Sequence, residues 1–149
     1  MNKTFTLKQL PEIVTDVIEK INESSKNQIA TIVTLQGDLG AGKTTFTQEL
    51  ARQLGVVEPV QSPTFVILKS YQIHNTELVQ NRFTNLIHID SYRLTSGADL
   101  VKLDWENYIN NPHNLILIEW PEMVADVVNS PDVLIKLEHS DQGTRNITL

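Results

Sequence analysis

Gly37, Gly42, Lys43 and Thr44, inside "LQGDLGAGKTT" (Leu35 to Thr45), satisfy the spacing G-x-x-x-x-G-K-S/T. Phosphate binding asks for this pattern. Glycines let successive backbone N–H groups turn inward without Cβ clashes, so the loop forms an anion-sized nest. A helix opening near Lys43 adds its positive dipole end. The Lys43 ammonium can then reach the β- and γ-phosphates, and the Thr44 hydroxyl is placed to bind Mg²⁺. Asp38, Leu39, Gly40, Ala41 and Thr45 complete the expected nucleotide-binding loop. The plainer alternative is a glycine-rich turn between strand and helix; the surrounding strand-loop-helix pattern favours a nucleotide.

Hydrolysis requires more than a loop. Mg²⁺ needs a carboxylate, and the attacking water needs an orienting group. Two acids end apolar runs: Asp90 in "LIHID" and Glu119 in "LILIE". A carboxylate at the carboxyl end of a strand faces the crevice where open α/β sheets bind ligands. Spacing alone leaves open which of the two holds metal and which positions water. In "SPTF", Ser62 to Phe65, the Thr64 hydroxyl could meet Mg²⁺ or the γ-phosphate, or the segment could be an ordinary Ser-Pro turn. Arg93 in "DSYRL" could neutralise phosphate or pair with Asp90. Trp120 in "EWPE" is expected to be a half-buried anchor, with stacking on a base ring or a partner contact as alternatives. The four histidines lack metal-ligand spacing and read as incidental.

These residues need a scaffold. "IATIVTL", Ile29 to Leu35, is β-branched and nearly continuous in apolar content, as in a strand covered on both faces. Phe46, Leu50, Ala51 and Leu54 then form a helical stripe ending at Gly55. Leu10, Ile13, Val14, Val17, Ile18 and Ile21 give an earlier helix an apolar face, with Pro11 in its first turn. "NESSKNQ", Asn22 to Gln28, reads as a polar break. "TFVILKSYQI", Thr64 to Ile73, predicts a strand; "LIHID" and "LILIE" predict two short buried strands. Ser96 with Asp99 resembles a capping box opening a helix through Leu100, Leu103 and Tyr108. "VLIKLEH", "SDQG" and "TRNITL" read as a terminal β-hairpin. The expected fold class is α/β: a P-loop NTPase-like mixed β-sheet flanked by helices, with a C-terminal β-hairpin.

Length and composition bound the rest. A chain of 149 residues with 40% hydrophobic and 20% charged residues suits one globular domain, residues 1–149. A formal charge of −6 argues against independent nucleic-acid binding, which needs a basic surface. There are no cysteines, so disulfides and thiolate metal sites are excluded. The opening residues lack a signal-peptide apolar core and no stretch reaches the length of a membrane span. The expectation is a soluble, cytoplasmic domain.

Taken together, "GDLGAGKTTF", "SPTF", "HIDSYRL" and "IEWPE", in this order, resemble the TsaE (YjeE) family of bacterial P-loop ATPases. The glycine loop is common to many NTPases; the other three motifs make the match specific, and it covers nearly the whole chain. The resemblance implies ATP and Mg²⁺ as cofactors and a role in making N6-threonylcarbamoyladenosine beside the anticodon of tRNA. It implies action with the TsaB–TsaD pair, ATP hydrolysis that supports multiple turnovers, and tRNA contact only through that complex. It assigns Gly37 to Thr45 to the phosphates, Thr44 and Glu119 to Mg²⁺, Asp90 to the attacking water and Thr64 to a switch-like segment. Trp120 would support the nucleotide site or its coupling to the partner. Two departures stand out. The N-terminal "FTLKQLPE" matches loosely, so Arg145 and Leu7 to Pro11 are the places to look for base contacts. Trp105, in "KLDWENYI" where many relatives carry a glycine, is a place where a partner contact could change.

Two other functional readings compete. A small-molecule kinase needs an arginine-rich lid, and Arg52, Arg82, Arg93 and Arg145 do not cluster in sequence. A nucleotide-gated binding protein would need no hydrolysis. A GTPase is disfavoured because the guanine-reading N-K-x-D motif is absent: the one "NK", Asn2 and Lys3, is followed by Thr4 and Phe5.

Overall fold

The computed structural model describes residues 1–24, 28–140 and 143–149. Parts of the expected polar break and of the "SDQG" turn lie outside the described residues. Among the described residues, seven strands form one sheet. In chain order they are β1 (Asn2–Thr6), β2 (Thr31–Gln36), β3 (Leu68–Gln72), β4 (Asn85–Asp90), β5 (Asn114–Glu119), β6 (Val133–His139) and β7 (Thr144–Thr148). The spatial order is β1-β7-β6-β2-β5-β4-β3. The central four, β6, β2, β5 and β4, run parallel; β3, β7 and β1 add antiparallel edges. This is the mixed α/β sheet anticipated from the motif order, with β6 and β7 as the terminal hairpin.

Among the described residues four α-helices flank it: α1 (Leu10–Glu23), α2 (Lys43–Gln53), α3 (Gly97–Val101) and α4 (Trp105–Ile109). The apolar stripe of α1 is buried in full. Successive strand side chains alternate between faces. One face therefore collects Val33, Leu35, Leu86, Leu115, Leu117, Ile135 and Leu137, packed with Phe46 and Leu50 of α2 and with α1. The other collects Ile32, Ile87, Ile89, Ile116 and Ile118, under Leu100 and Trp105. The same alternation sends His88 and Asp90 of β4, and Glu119 of β5, to the face that α2 covers.

Several expectations change. The strand expected from Thr64 starts only at Leu68. Before it the chain turns: the Ile67 N–H donates to the Pro63 carbonyl at 2.6 Å, and Ile67 sits at φ 69°. A β-branched residue in the left-handed region is strained, and this closes off extended pairing. The helix expected from Ser96 to Tyr108 is two short helices, broken where Asp104 takes φ 66°. Ser96 makes no side-chain cap. Instead the Asp99 carboxylate accepts from the Thr95 N–H and hydroxyl, which holds it below the usual carboxylate range. Trp105 is only 8% exposed, inside the second core cluster, so it offers no surface to a partner. β1, which composition gives little sign of, pairs along its whole length with β7.

Candidate functional site

β2, β4 and β5 end together. Leu35 pairs with Glu119, and Asp90 pairs with Glu119, so both acids stand at the carboxyl edge beside the loop leaving β2. That loop turns at Gly40 (φ 78°) and Gly42 (φ 103°), conformations that only glycine adopts cheaply. Gly37 is required for a different reason. A Cβ there would stand 2.5 Å from the Leu137 carbonyl oxygen of β6. The loop then passes into α2 at Lys43, whose first-turn N–H groups have no acceptor within the helix.

A cavity of about 380 Å³ opens over this edge. Leu39, Gly40, Gly42, Lys43, Thr44 and Thr45 line it from the loop. Thr64, Asp90, Glu119, Trp120 and Arg145 line it from the other elements. Of the residues singled out from sequence, Gly37, Asp38 and Ala41 lie off the cavity wall, as do Arg93 and the Leu7 to Pro11 segment, whereas Arg145 lines it. Gly37 and Asp38 act through their carbonyls, which accept bonds from the Lys43 Nζ at 2.5 and 2.9 Å. Ala41 is buried.

Burial holds the Lys43 ammonium below the usual lysine range, opposed by the negative charges of Glu119, Glu122, Asp90 and Asp38. A triphosphate tail would reinforce that opposition and favour the charged form. Lys43 Nζ also lies 4.3 Å from the Trp120 ring centroid, and Tyr92 packs tilted on the same ring at 4.9 Å. Trp120 holds φ 57°, a left-handed conformation unusual for a bulky residue and costing on the order of 1 kcal/mol. It is half-buried, as an anchor between Lys43 and Tyr92.

The acids differ in setting. The buried Glu119 accepts from Ser62 Oγ (3.1 Å to Oε1), from Thr47 Oγ1 (3.4 Å) and from His88 Nε2 (2.9 Å). Ser62 Oγ also bonds Thr44 Oγ1 at 2.9 Å. Thr44, Ser62 and Glu119 thus form one chain of hard oxygen donors. Asp90 accepts from Thr64 Oγ1 at 2.9 Å and from the Tyr92 N–H at 3.0 Å. Arg93 does not pair with Asp90 among the described residues; its guanidinium lies 4.3 Å from the Phe65 ring centroid. Arg145 of β7 reaches across to Gly42, where an added Cβ would meet its Nε at 2.8 Å.

Ser62, Tyr92 and His88 are site residues that sequence reading did not select. Ser62 was legible only as the start of "SPTF". His88 carried one signal, a polar residue interrupting an apolar strand, and the structure places it on Glu119 rather than leaving it incidental.

The residues fit Mg²⁺. Among the described residues no group of three or more His, Cys, Asp or Glu side chains is assembled as a metal cage. Mg²⁺ asks for less than a cage: it is held by one or two carboxylates with substrate phosphates and water. The Thr44–Ser62–Glu119 oxygens beside the loop match that demand. A glycine-lysine loop between a buried parallel strand and a helix, beneath two strand-end acids, defines a P-loop nucleotide-binding protein.

Comparison with known proteins narrows the class. Residues 8–147 match the family profile described as "Threonylcarbamoyl adenosine biosynthesis protein TsaE", and the chain belongs to the TsaE family. The tRNA threonylcarbamoyladenosine biosynthesis protein TsaE of Rickettsia felis is 39% identical over 115 residues, covering 76% of this chain and 61% of that relative. The protein of the same description from Bacillus subtilis is 33% identical over 117 residues, covering 78% and 67%. The match thus spans about three fifths of the Rickettsia felis relative's length. Among solved structures, Bacillus subtilis YdiB superposes with a TM-score of 0.62 at 25% identity, covering 99% of this chain and 82% of its own.

Proposed function

We propose that this protein binds ATP with Mg²⁺ and hydrolyses it slowly, as an accessory factor for multiple-turnover formation of N6-threonylcarbamoyladenosine in tRNA. It acts with the TsaB–TsaD complex, which carries the transfer and presents the tRNA. The observation that carries this reading is the convergence of the Gly37–Thr45 loop, Thr44, Glu119 and Asp90 on one cavity in a chain of the TsaE family.

In this mechanism the loop amides and Lys43 bind the β- and γ-phosphates, and Lys43 leaves its carbonyl partners to do so. Thr44 and Glu119 would hold Mg²⁺, and the ion would supply charge compensation for the phosphate oxygens. Asp90 orients the attacking water, and Thr64, already bonded to Asp90, reports on that position. Arg145, beside Gly42, is placed to contact the nucleotide from β7. Trp120 keeps Lys43 in line by stacking beneath its ammonium.

The test is reconstitution with purified TsaB and TsaD, tRNA, threonine, bicarbonate and ATP. The reading expects many rounds of modification only when this chain is present. Rounds that continue with both Asp90→Ala and Glu119→Ala variants would assign it to nucleotide-gated binding without required hydrolysis.

A further inference from the structure

Among the described residues His88 is a buried ionisable group that the proposed mechanism leaves unused. It stands mid-strand in β4 between Ile87 and Ile89, with its side chain fully buried. Its Nε2 meets Glu119 Oε1 at 2.9 Å, while among the described residues Nδ1 has no hydrogen-bond partner. A carboxylate only accepts, so the proton of this bond belongs to Nε2. Burying the bare Nδ1 costs free energy that an apolar side chain in the same strand would not. The ring therefore serves its one partner. The two oxygens of Glu119 are unequal as a result: Oε1 accepts from His88, from Thr47 and, at 3.1 Å, from Ser62 Oγ, whereas among the described residues Oε2 has only the longer arm of that Ser62 contact, at 3.3 Å.

We propose that His88 is a positioning residue for Glu119, anchoring Oε1 from inside the core so that Oε2 is the oxygen left for the cation of a bound Mg²⁺–nucleotide. This rests on the nucleotide reading above. Outer partners that hold a ligating side chain are typically worth 10–100-fold in metal affinity. Among the described residues His88 makes no hydrogen bond to the Gly37–Thr45 loop and reaches it only through Glu119, so its main effect falls on the metal-dependent part of binding.

The experiment measures binding of a non-hydrolysable ATP analogue across a Mg²⁺ series, and again in EDTA, for the wild type and three variants. His88→Leu removes the donor; His88→Gln carries an N–H to about the same place as Nε2; His88→Asn falls short of it. The expected result is a Mg²⁺ midpoint raised roughly 10-fold or more in His88→Leu and His88→Asn, near wild type in His88→Gln, with EDTA affinity the same for all four. Equal midpoints in His88→Gln and His88→Asn would overturn the proposal, and that pair decides even if the leucine variant fails to fold. Equal losses with and without Mg²⁺ would overturn it too, assigning His88 to structure alone. A wild type that binds no analogue under any condition would remove the nucleotide reading itself, and this inference with it.

Discussion

Lys43 carries the sharpest residue-level consequence because its charge is held against burial. Its pKa lies below the ordinary 10.5, so the unfolded chain binds the proton more tightly than the folded one. Wild-type stability without ligand should therefore rise with pH in a window below 10.5, relative to Lys43→Met, as the buried charge is relieved. Nucleotide affinity should move the other way in that window, since phosphate wants the ammonium that the free protein is losing. Thermal denaturation and binding titrations across this range check both signs; parallel trends would contradict the assignment. Lys43→Ala should lose most nucleotide affinity at neutral pH. Asp90→Ala and Glu119→Ala should bind ATP yet turn it over more slowly by orders of magnitude, read in single-turnover hydrolysis. Unchanged hydrolysis in both would refute their roles. Much of this was legible beforehand, because loop, lysine and hydroxyl are consecutive in sequence. The Ser62 and His88 contacts to Glu119 were not, since they join residues 57 and 31 positions apart and depend on strand register.

At the scale of elements, the site exists because the loop after β2 crosses close over β6. Gly37→Ala puts a methyl group 2.5 Å from the Leu137 carbonyl, backbone that cannot swing aside. Overpacking of this kind costs about 1–3 kcal/mol. For a chain of this size that lowers the melting temperature by about 2–4 °C per kcal/mol, and a calorimetric scan reads it directly. No change would mean the loop does not pack against β6 as described. β1 is the element that pattern reasoning passed over. "NKTFT" contains a single large apolar residue, and its strand character comes from pairing with β7, Phe5 opposite Arg145. Phe5 is 2% exposed, so Phe5→Ala should cost about 3–5 kcal/mol, measured by denaturant unfolding. The long strand read from Thr64 failed for a related reason. Local β propensity there yields to the Pro63 turn, which is local, and to the Thr64–Asp90 bond, which is tertiary in origin. The apolar stripes of α1 and α2 needed no such context, because periodicity decides them, and the short apolar runs of β2, β4 and β5 are decided by their length and β-branched content.

The whole molecule is an acidic sheet with one rich edge. Its net charge of −6 works against binding to the RNA backbone, so tRNA alone should bind only weakly, as a filter or anisotropy titration at physiological salt would show. Among the described residues lining the cavity, the cationic side chains are Lys43 and Arg145, and with one metal ion they are the charge compensation the proposed triphosphate would meet. An added arginine finger is worth about 10³–10⁵ in rate, so hydrolysis by the isolated protein should be slow and rise on assembly with its partners. Fast turnover by the protein alone would argue against a partner-dependent role. Among the described residues no helix is long and apolar enough to cross a membrane, so no such segment competes with the site for explanation. The account stands on the carboxyl edge of β2, β4 and β5 being a Mg²⁺–nucleotide cradle. Isothermal titration of the folded protein with ATP and with ADP, in Mg²⁺ and in EDTA, tests this most directly. Saturable one-to-one binding is expected, strengthened by Mg²⁺ and largely lost in Lys43→Ala. Absence of heat for either nucleotide at millimolar concentration, or binding indifferent to both Mg²⁺ and Lys43, would contradict it.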